Sequence, residues 1–123
     1  MTSRRSPHRV VVLVRDGLIP LEVGIPHRLF GQARSSTGEF LYEVITATIT
    51  PGEVRTDTDF TVNVAHGPEI LSDADTVVIP ASDDDYQPPT QRALSPGLTK
   101  ALVLVRPGTR MASICTGSFV LAA

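Results

Sequence analysis

The residue best suited to covalent chemistry in this chain is Cys115, its single cysteine. It follows an apolar stretch, residues 111–114, and precedes Thr116 and Gly117. A buried-type strand that ends in cysteine, a small residue and glycine predicts a sharp turn from strand to helix. Backbone N–H groups and the helix dipole favour an anion at such a turn, so the thiol is expected to tend towards the thiolate, a nucleophile or redox sensor. The alternative is an inert core cysteine.

Residues that follow two earlier apolar runs are the other candidates. Glu22 comes after the first run of the chain, and Ala81 and Ser82 come after another. Ligands bind at the carboxyl ends of the strands in parallel α/β sheets, so these residues are expected to converge on Cys115. Glu22 is otherwise an ordinary carboxylate in the first turn of a helix. The backbone N–H of Thr116 is a candidate oxyanion donor, or simply a helix-start group.

An acidic run follows the turn at residues 81–82. Asp83, Asp84 and Asp85 open a segment, residues 83–89, that we expect to be a solvated surface loop. Carboxylates near a thiolate would disfavour it and would repel anionic substrates.

The histidines are poor partners for Cys115. His8 falls in the N-terminal leader and His66 in a turn, while His27 lies on the first helix, where a boundary position is the default. No spacing among histidine, cysteine and carboxylates suits a metal, and no phosphate-binding loop is present, so neither metal nor cofactor is expected.

Apolar runs predict the strands that position these groups. Residues 10–14 and 76–79 are continuously apolar or β-branched, as in strands buried on both faces. Residues 42–49 are mixed and are expected nearer the sheet edge. Alternation at residues 60–64 predicts one arm of a small hairpin. Residues 111–114 complete the set as a short buried-type strand.

Helices are predicted between these strands. Leu21, Ile25 and Leu29 recur every four residues and form a helical stripe, which Pro26 is expected to kink. Ser95 followed by Pro96 marks the start of a second helix. Alternation of buried strands with helices predicts an α/β sandwich with a mainly parallel sheet.

Length and charge limit the classes of protein. The 123 residues suffice for one domain with a real core, and a net charge of −2 gives no electrostatic footprint for nucleic acid. One cysteine suits a reducing compartment. No apolar stretch approaches the ~20 residues that span a bilayer, so a cytoplasmic protein without membrane contact is expected.

Three segments together resemble the ThiJ/PfpI superfamily, whose fold is that of the class I glutamine amidotransferases. They are residues 21–26 around Glu22, the turn after residues 77–80, and residues 113–117 around Cys115. Residues 113–123 are more similar still to the N-terminal domain of AraC-type transcriptional regulators of the GlxA-type branch.

The resemblance implies a flavodoxin-like, doubly wound fold with a mainly parallel sheet sandwiched by helices. Residues 1–8 would be a flexible leader and residues 9–123 a ThiJ/PfpI-like domain that is incomplete at its C-terminus. A complete domain would continue with further strands, helices and a histidine. The strand that carries Cys115 would therefore be partly uncovered, and its apolar surface would favour dimerisation or aggregation.

The resemblance also implies roles for the candidate residues. Cys115 and Glu22 would be catalytic or ligand-facing, with Glu22 bonded to the sulfur or orienting a ligand. Ala81 and Ser82 would supply backbone N–H groups to an oxyanion. That turn is usually glycine-rich in the enzymes of the superfamily, and alanine and serine adopt positive φ less readily.

Two hypotheses follow. We favour a ligand-sensing regulatory domain in which Cys115 and Glu22 line a pocket for a small metabolite, with DNA bound only by a domain outside this chain and a homodimer left open. The alternative is an enzyme with Cys115 as nucleophile: a hydrolase or amidase, an isonitrile hydratase, or a glyoxalase-like protein. The retained Cys115–Glu22 pair supports the enzyme, whereas the non-glycine turn and the lack of a histidine partner favour the sensor.

Overall fold

The computed structural model describes residues 7–86 and 94–122. In these residues four strands form a parallel sheet and two form an antiparallel hairpin. The strands are β1 (His8–Leu13), β2 (Tyr42–Ala47), β3 (Gly52–Arg55), β4 (Thr61–Val64), β5 (Thr76–Ile79) and β6 (Arg110–Ser113). The α-helices are α1 (Pro20–Gly31), α2 (Pro96–Leu102) and α3 (Ser118–Ala122), and short 3-10 helices lie at Pro68–Asp73, Asp83–Tyr86 and Cys115–Gly117.

The main sheet has the strand order β2-β1-β5-β6, and every pairing in it is parallel. Val11 of β1 lies between Ile45 of β2 and Val77 of β5. The central position predicted for the first strand is confirmed, as is the edge position of β2. Because all four strands run the same way, their carboxyl ends meet along one edge of the sheet.

Apolar side chains cover both faces of this sheet. On one face, Leu13 and Ile79 pack with Leu98 of α2 and Val120 of α3. On the other face, Val12 and Val14 pack with Leu18 and with Val54 and Val64 of the antiparallel β3–β4 hairpin. Helices and hairpin on opposite faces make the fold doubly wound, as predicted.

Helix α1 turns its stripe of large apolar side chains away from the sheet. Leu21 and Leu29 are 75% and 66% exposed, and Ile25 is exposed as well. The inward face instead carries the buried Pro26 and His27, whose Nε2 is hydrogen-bonded to Oγ1 of Thr46 on β2 at 2.6 Å. The helix that the four-residue period predicts is confirmed, and its apolar stripe faces solvent.

Strand β6 is exposed rather than buried as its composition suggests. Residues 110–112 are exposed and Ser113 is half-buried, and β6 is an edge strand that pairs with β5 alone within the described residues. This agrees with the expectation of a partly uncovered strand, whereas self-association stays a prediction.

The chain ends and one loop bear on other expectations. Strand β1 begins at His8, so the expected leader overlaps it by one residue, and residues 1–6 lie outside the described part. Of the expected loop at residues 83–89, the last three residues are also outside the described part.

Helix α2 begins as predicted, since the Ser95 hydroxyl accepts a hydrogen bond from the Leu98 N–H at 3.1 Å. No helix in the described ranges is long and apolar enough to cross a membrane.

Candidate functional site

The chain passes from β6 into α3 through a tight turn at Cys115. Ile114 is extended, with φ −120° and ψ 130°, and Cys115 then has φ 51°. Among the described residues it is the one residue other than glycine with a positive φ. Its side chain is exposed and its sulfur is a free thiol. A cysteine in the left-handed region is held there against a local cost of on the order of 1–3 kcal/mol.

Gly117 allows this turn to lie directly on the end of β5. The Ile114 N–H donates a hydrogen bond to the Ile79 carbonyl oxygen at 3.0 Å, which extends the β5–β6 pairing into the turn. A Cβ atom on Gly117 would collide with that same carbonyl oxygen. Glycine is required here by the close approach of two backbones, since its own φ is not in the left-handed region.

Glu22 reaches the same end of β5 from the other side. Its Oε1 accepts a hydrogen bond from the Ala81 N–H at 3.1 Å. The Cys115 turn is fixed to Ile79, two residues earlier. Glu22 and Cys115 are thus anchored to one short segment of the chain, although no hydrogen bond joins their side chains within the described residues.

The backbone N–H groups expected to face an oxyanion are bonded to carboxylates. Ala81 donates to Glu22, and the Ser82 N–H donates to Oδ2 of Asp85 at 2.9 Å. Both groups could meet an oxyanion only if these carboxylates moved away. The assignment of Ala81, Ser82 and the Thr116 N–H to an oxyanion therefore stays a prediction.

Asp85 is buried, which corrects the expectation that the whole acidic run is solvated. Arg15 holds it with two hydrogen bonds, NH1 to Oδ1 at 2.8 Å and NH2 to Oδ2 at 3.0 Å. Thr116 donates its hydroxyl to Oδ2 at 3.0 Å. We call Arg15, Asp85 and Thr116 the carboxylate clamp. Burial alone would raise the pKa of Asp85, but hydrogen bonds from Arg15, Ser82 and Thr116 and the charge of Arg15 bring this pKa below its ordinary value.

The other two aspartates of the run lie nearer to solvent. Arg55 makes a two-pronged contact to Asp83, at 2.8 and 3.0 Å, and lies 3.8 Å from Asp84. The hydrogen bond and charge of Arg55 lower the pKa of Asp83. The positive charges of Arg15 and Arg55 therefore partly neutralise the acidic run, and the expected repulsion of anions from the site is weaker.

His27 lies apart from the cysteine, on the inner face of α1. Its imidazole is hydrogen-bonded to Thr46, and burial lowers its pKa. With His66 it lines a mainly apolar cavity of about 520 Å³ between α1, β2 and β4. Residues 7–86 and 94–122 contain no group of three or more histidine, cysteine or acidic side chains able to hold a metal ion.

A larger cavity, of about 710 Å³, opens beside the carboxylate clamp. Arg15 and Asp85 lie in its wall together with Thr48 after β2 and Phe119 and Val120 of α3. Cys115 is not in the wall of either cavity. Arg15 and Asp85 of the clamp therefore border this cavity, whereas Cys115 itself is exposed at the surface.

Arg15 and Asp85 are site residues that the sequence analysis missed. Arg15 lies two residues after the end of β1 and Asp85 lies six residues after the end of β5, so both follow the carboxyl ends of neighbouring parallel strands. The signal that could have identified them is an arginine and an aspartate that follow two neighbouring parallel strands. It was overlooked because three successive aspartates are typical of a solvated loop.

Comparison with known proteins gives the class. No family model matches the chain. A DJ-1 superfamily protein from Agrobacterium tumefaciens has a similar structure, with a TM-score of 0.61 and 22% identity over 92% of this chain and 56% of that one. An AraC family transcriptional regulator from Pseudomonas putida gives a TM-score of 0.67 and 13% identity over 94% of this chain and 69% of that one. This is an α/β protein with the DJ-1/ThiJ fold, which confirms the predicted fold.

One relative in sequence gives the family. An uncharacterized protein in the cpoL 5′ region of Streptomyces lividans is 32% identical over 124 residues, covering 96% of this chain and 80% of that protein. The chain belongs to the same family as that protein. It spans little more than half the length of the Agrobacterium structure.

Proposed function

We propose that this chain is the ligand-sensing domain of an AraC-type transcriptional regulator, with the turn at Cys115 forming part of a small-molecule site. The observation that carries the proposal is the left-handed, exposed Cys115 at the edge where the parallel strands end. Strained residues cluster at binding and catalytic sites, and this edge is where α/β sheets bind ligands. DNA would be bound through another domain, in the cytoplasm, and a homodimer is compatible with the exposed face of β6.

The hydrogen bonds at the turn after β5 favour a sensor over an enzyme. An enzyme that passes through an oxyanion needs preorganised donors aimed at the developing charge. Here the N–H groups of Ala81 and Ser82 donate to Glu22 and Asp85 instead. A negative charge that developed there would meet two carboxylates, so binding without turnover fits the site better.

The charge that Glu22 places in the site can be measured with two alkylating reagents. In Glu22→Gln, we expect the ratio of the iodoacetate rate to the iodoacetamide rate at Cys115 to rise roughly threefold, because a unit charge several ångströms away in a wet site contributes about 0.6 kcal/mol. The ratio cancels changes in the reactivity of the thiol itself. Glu69→Gln, which removes an exposed carboxylate from the Pro68–Asp73 turn, is the matched control. An unchanged ratio in Glu22→Gln would mean that Glu22 does not face the thiol.

The enzyme alternative keeps one supporting observation, the exposed and strained thiol of Cys115. It is tested by incubating the chain and its Cys115→Ala variant with cyclohexyl isocyanide, methylglyoxal and glutamine and quantifying formamide, lactate and glutamate. The isocyanide product to be quantified is N-cyclohexylformamide, formed by addition of one water, and we expect no product beyond that of the variant. Product formed only by the wild-type chain would replace the sensor with the enzyme.

A further inference from the structure

We propose that Asp85 is the positioning residue of the Cys115 site: its buried carboxylate holds Thr116 and thereby keeps Cys115 in its left-handed conformation. The inference rests on the proposed function, because it explains how the thiol is presented to a ligand. It gives a role to the carboxylate clamp, which the resemblance to the superfamily did not supply.

Asp85 is bonded to each of the loops that form the site. Oδ1 and Oδ2 accept from Arg15, which follows β1, and Oδ2 also accepts from the Ser82 N–H after β5 and from the Thr116 hydroxyl after β6. The side chain of Asp85 is 7% exposed, so these bonds are made largely out of water. A single carboxylate thus sets the relative positions of three loops that are distant in sequence.

Arg15 connects the clamp to the end of β5 as well. Its NH2 group donates to the Pro80 carbonyl oxygen at 3.0 Å, next to the Ala81 N–H that Glu22 binds. The clamp therefore fixes the segment on which both Glu22 and the Cys115 turn depend.

The carboxylate clamp includes an energetic cost, which indicates that it serves to hold a geometry rather than to stabilise the fold. The Nε atom of Arg15 is buried and has no hydrogen-bond partner among residues 7–86 and 94–122. A buried donor without a partner is destabilising, and buried ion pairs are often no more stabilising than apolar side chains of the same size. We therefore infer that the buried Arg15–Asp85 pair is retained because it holds the loops in one geometry.

Thr116 is the point at which the clamp acts on the cysteine. Its backbone continues directly from Cys115, whose φ of 51° has a local cost that the surroundings must offset. If the hydroxyl of Thr116 is released, the turn can relax towards negative φ and the sulfur moves away from the geometry that the wild-type chain gives it.

The test compares the rate of Cys115 alkylation by iodoacetamide at pH 7 in native chains with the rate in the same chains unfolded in urea. The variants are Thr116→Val, which removes the hydroxyl at constant shape, and Thr116→Ser, which restores it. Thr109→Val is the matched control, since the Thr109 hydroxyl donates to the Ala74 carbonyl oxygen at 3.2 Å, ahead of β6. Asp85→Asn is the second route to the same effect.

We expect Thr116→Val to lower the native-to-unfolded rate ratio about tenfold, Thr116→Ser to stay within about twofold of wild type, and Thr109→Val to leave the ratio unchanged. Asp85→Asn should lower the ratio as Thr116→Val does if it folds. A wild-type ratio in Thr116→Val, or equal losses in Thr116→Val and Thr116→Ser, would overturn the positioning role while leaving the proposed function intact. A wild-type chain whose native thiol reacts no faster than the unfolded one would overturn both.

Discussion

Gly117→Ala is expected to destabilise the chain by about 3 kcal/mol, because a methyl group at this position meets the carbonyl oxygen of Ile79 and not a side chain that can yield. The same carbonyl oxygen accepts the Ile114 N–H, so a shift large enough to relieve the collision also breaks that hydrogen bond. The loss is measured as the free energy of unfolding in urea, followed by circular dichroism.

The matched control for this prediction is Gly24→Ala in α1. A Cβ atom on Gly24 meets nothing within 4 Å. Alanine in the interior of a helix is favoured over glycine by about 0.5–1 kcal/mol, so Gly24→Ala should be neutral or slightly stabilising. If Gly117→Ala is as stable as Gly24→Ala, the turn does not pack on the end of β5 as described.

Arg15→Met is expected to lower the free energy of unfolding at pH 7 by about 3–5 kcal/mol, the range for removing one partner of a buried ion pair. Methionine has a similar length, but it leaves the buried Asp85 carboxylate without its cation. Arg55→Met is the matched control, because Arg55 pairs with Asp83 at the surface and its removal should change the free energy of unfolding far less.

The effect of Arg15→Met should also depend on pH. The pKa of Asp85 is lowered in the folded chain, so its contribution to stability is present above the ordinary aspartate pKa of about 3.9 and is lost as the pH falls through the folded value. Protonation would relieve the uncompensated charge in Arg15→Met. The difference in stability between wild type and Arg15→Met should therefore shrink as the pH falls and the buried carboxyl of Arg15→Met takes up a proton, and a difference that is constant from pH 7 to pH 3.5 would contradict the pairing.

Local signals were enough to predict much of the fold. The uninterrupted apolar run at residues 10–14 predicts a strand buried on both faces, and β1 lies between β2 and β5. Ser95 and Pro96 mark the start of α2 because the capping bond is formed within four residues. Such features depend on neighbours in sequence, so composition and order reveal them.

The remaining features depend on partners far along the chain. A four-residue period places Leu21, Ile25 and Leu29 on one face of α1 but does not say which face the sheet covers; the inward orientation comes with contacts to Tyr42 and Thr46. In the sequence, Asp85 cannot be distinguished from its acidic neighbours, because its partner Arg15 lies 70 residues earlier and reaches it only in the folded chain. For the same reason the exposure of β6 could not be derived from its apolar composition.

The measurement that tests the central claim most directly is the rate of Cys115 alkylation by iodoacetamide in the wild-type chain at pH 7, native against unfolded in urea. A left-handed residue followed by a tight turn gathers backbone N–H groups that favour an anion. We therefore predict that the native thiol reacts about tenfold faster than the unfolded one. A native thiol that reacts at the same rate or more slowly would contradict the account and make Cys115 an inert cysteine in a strained turn.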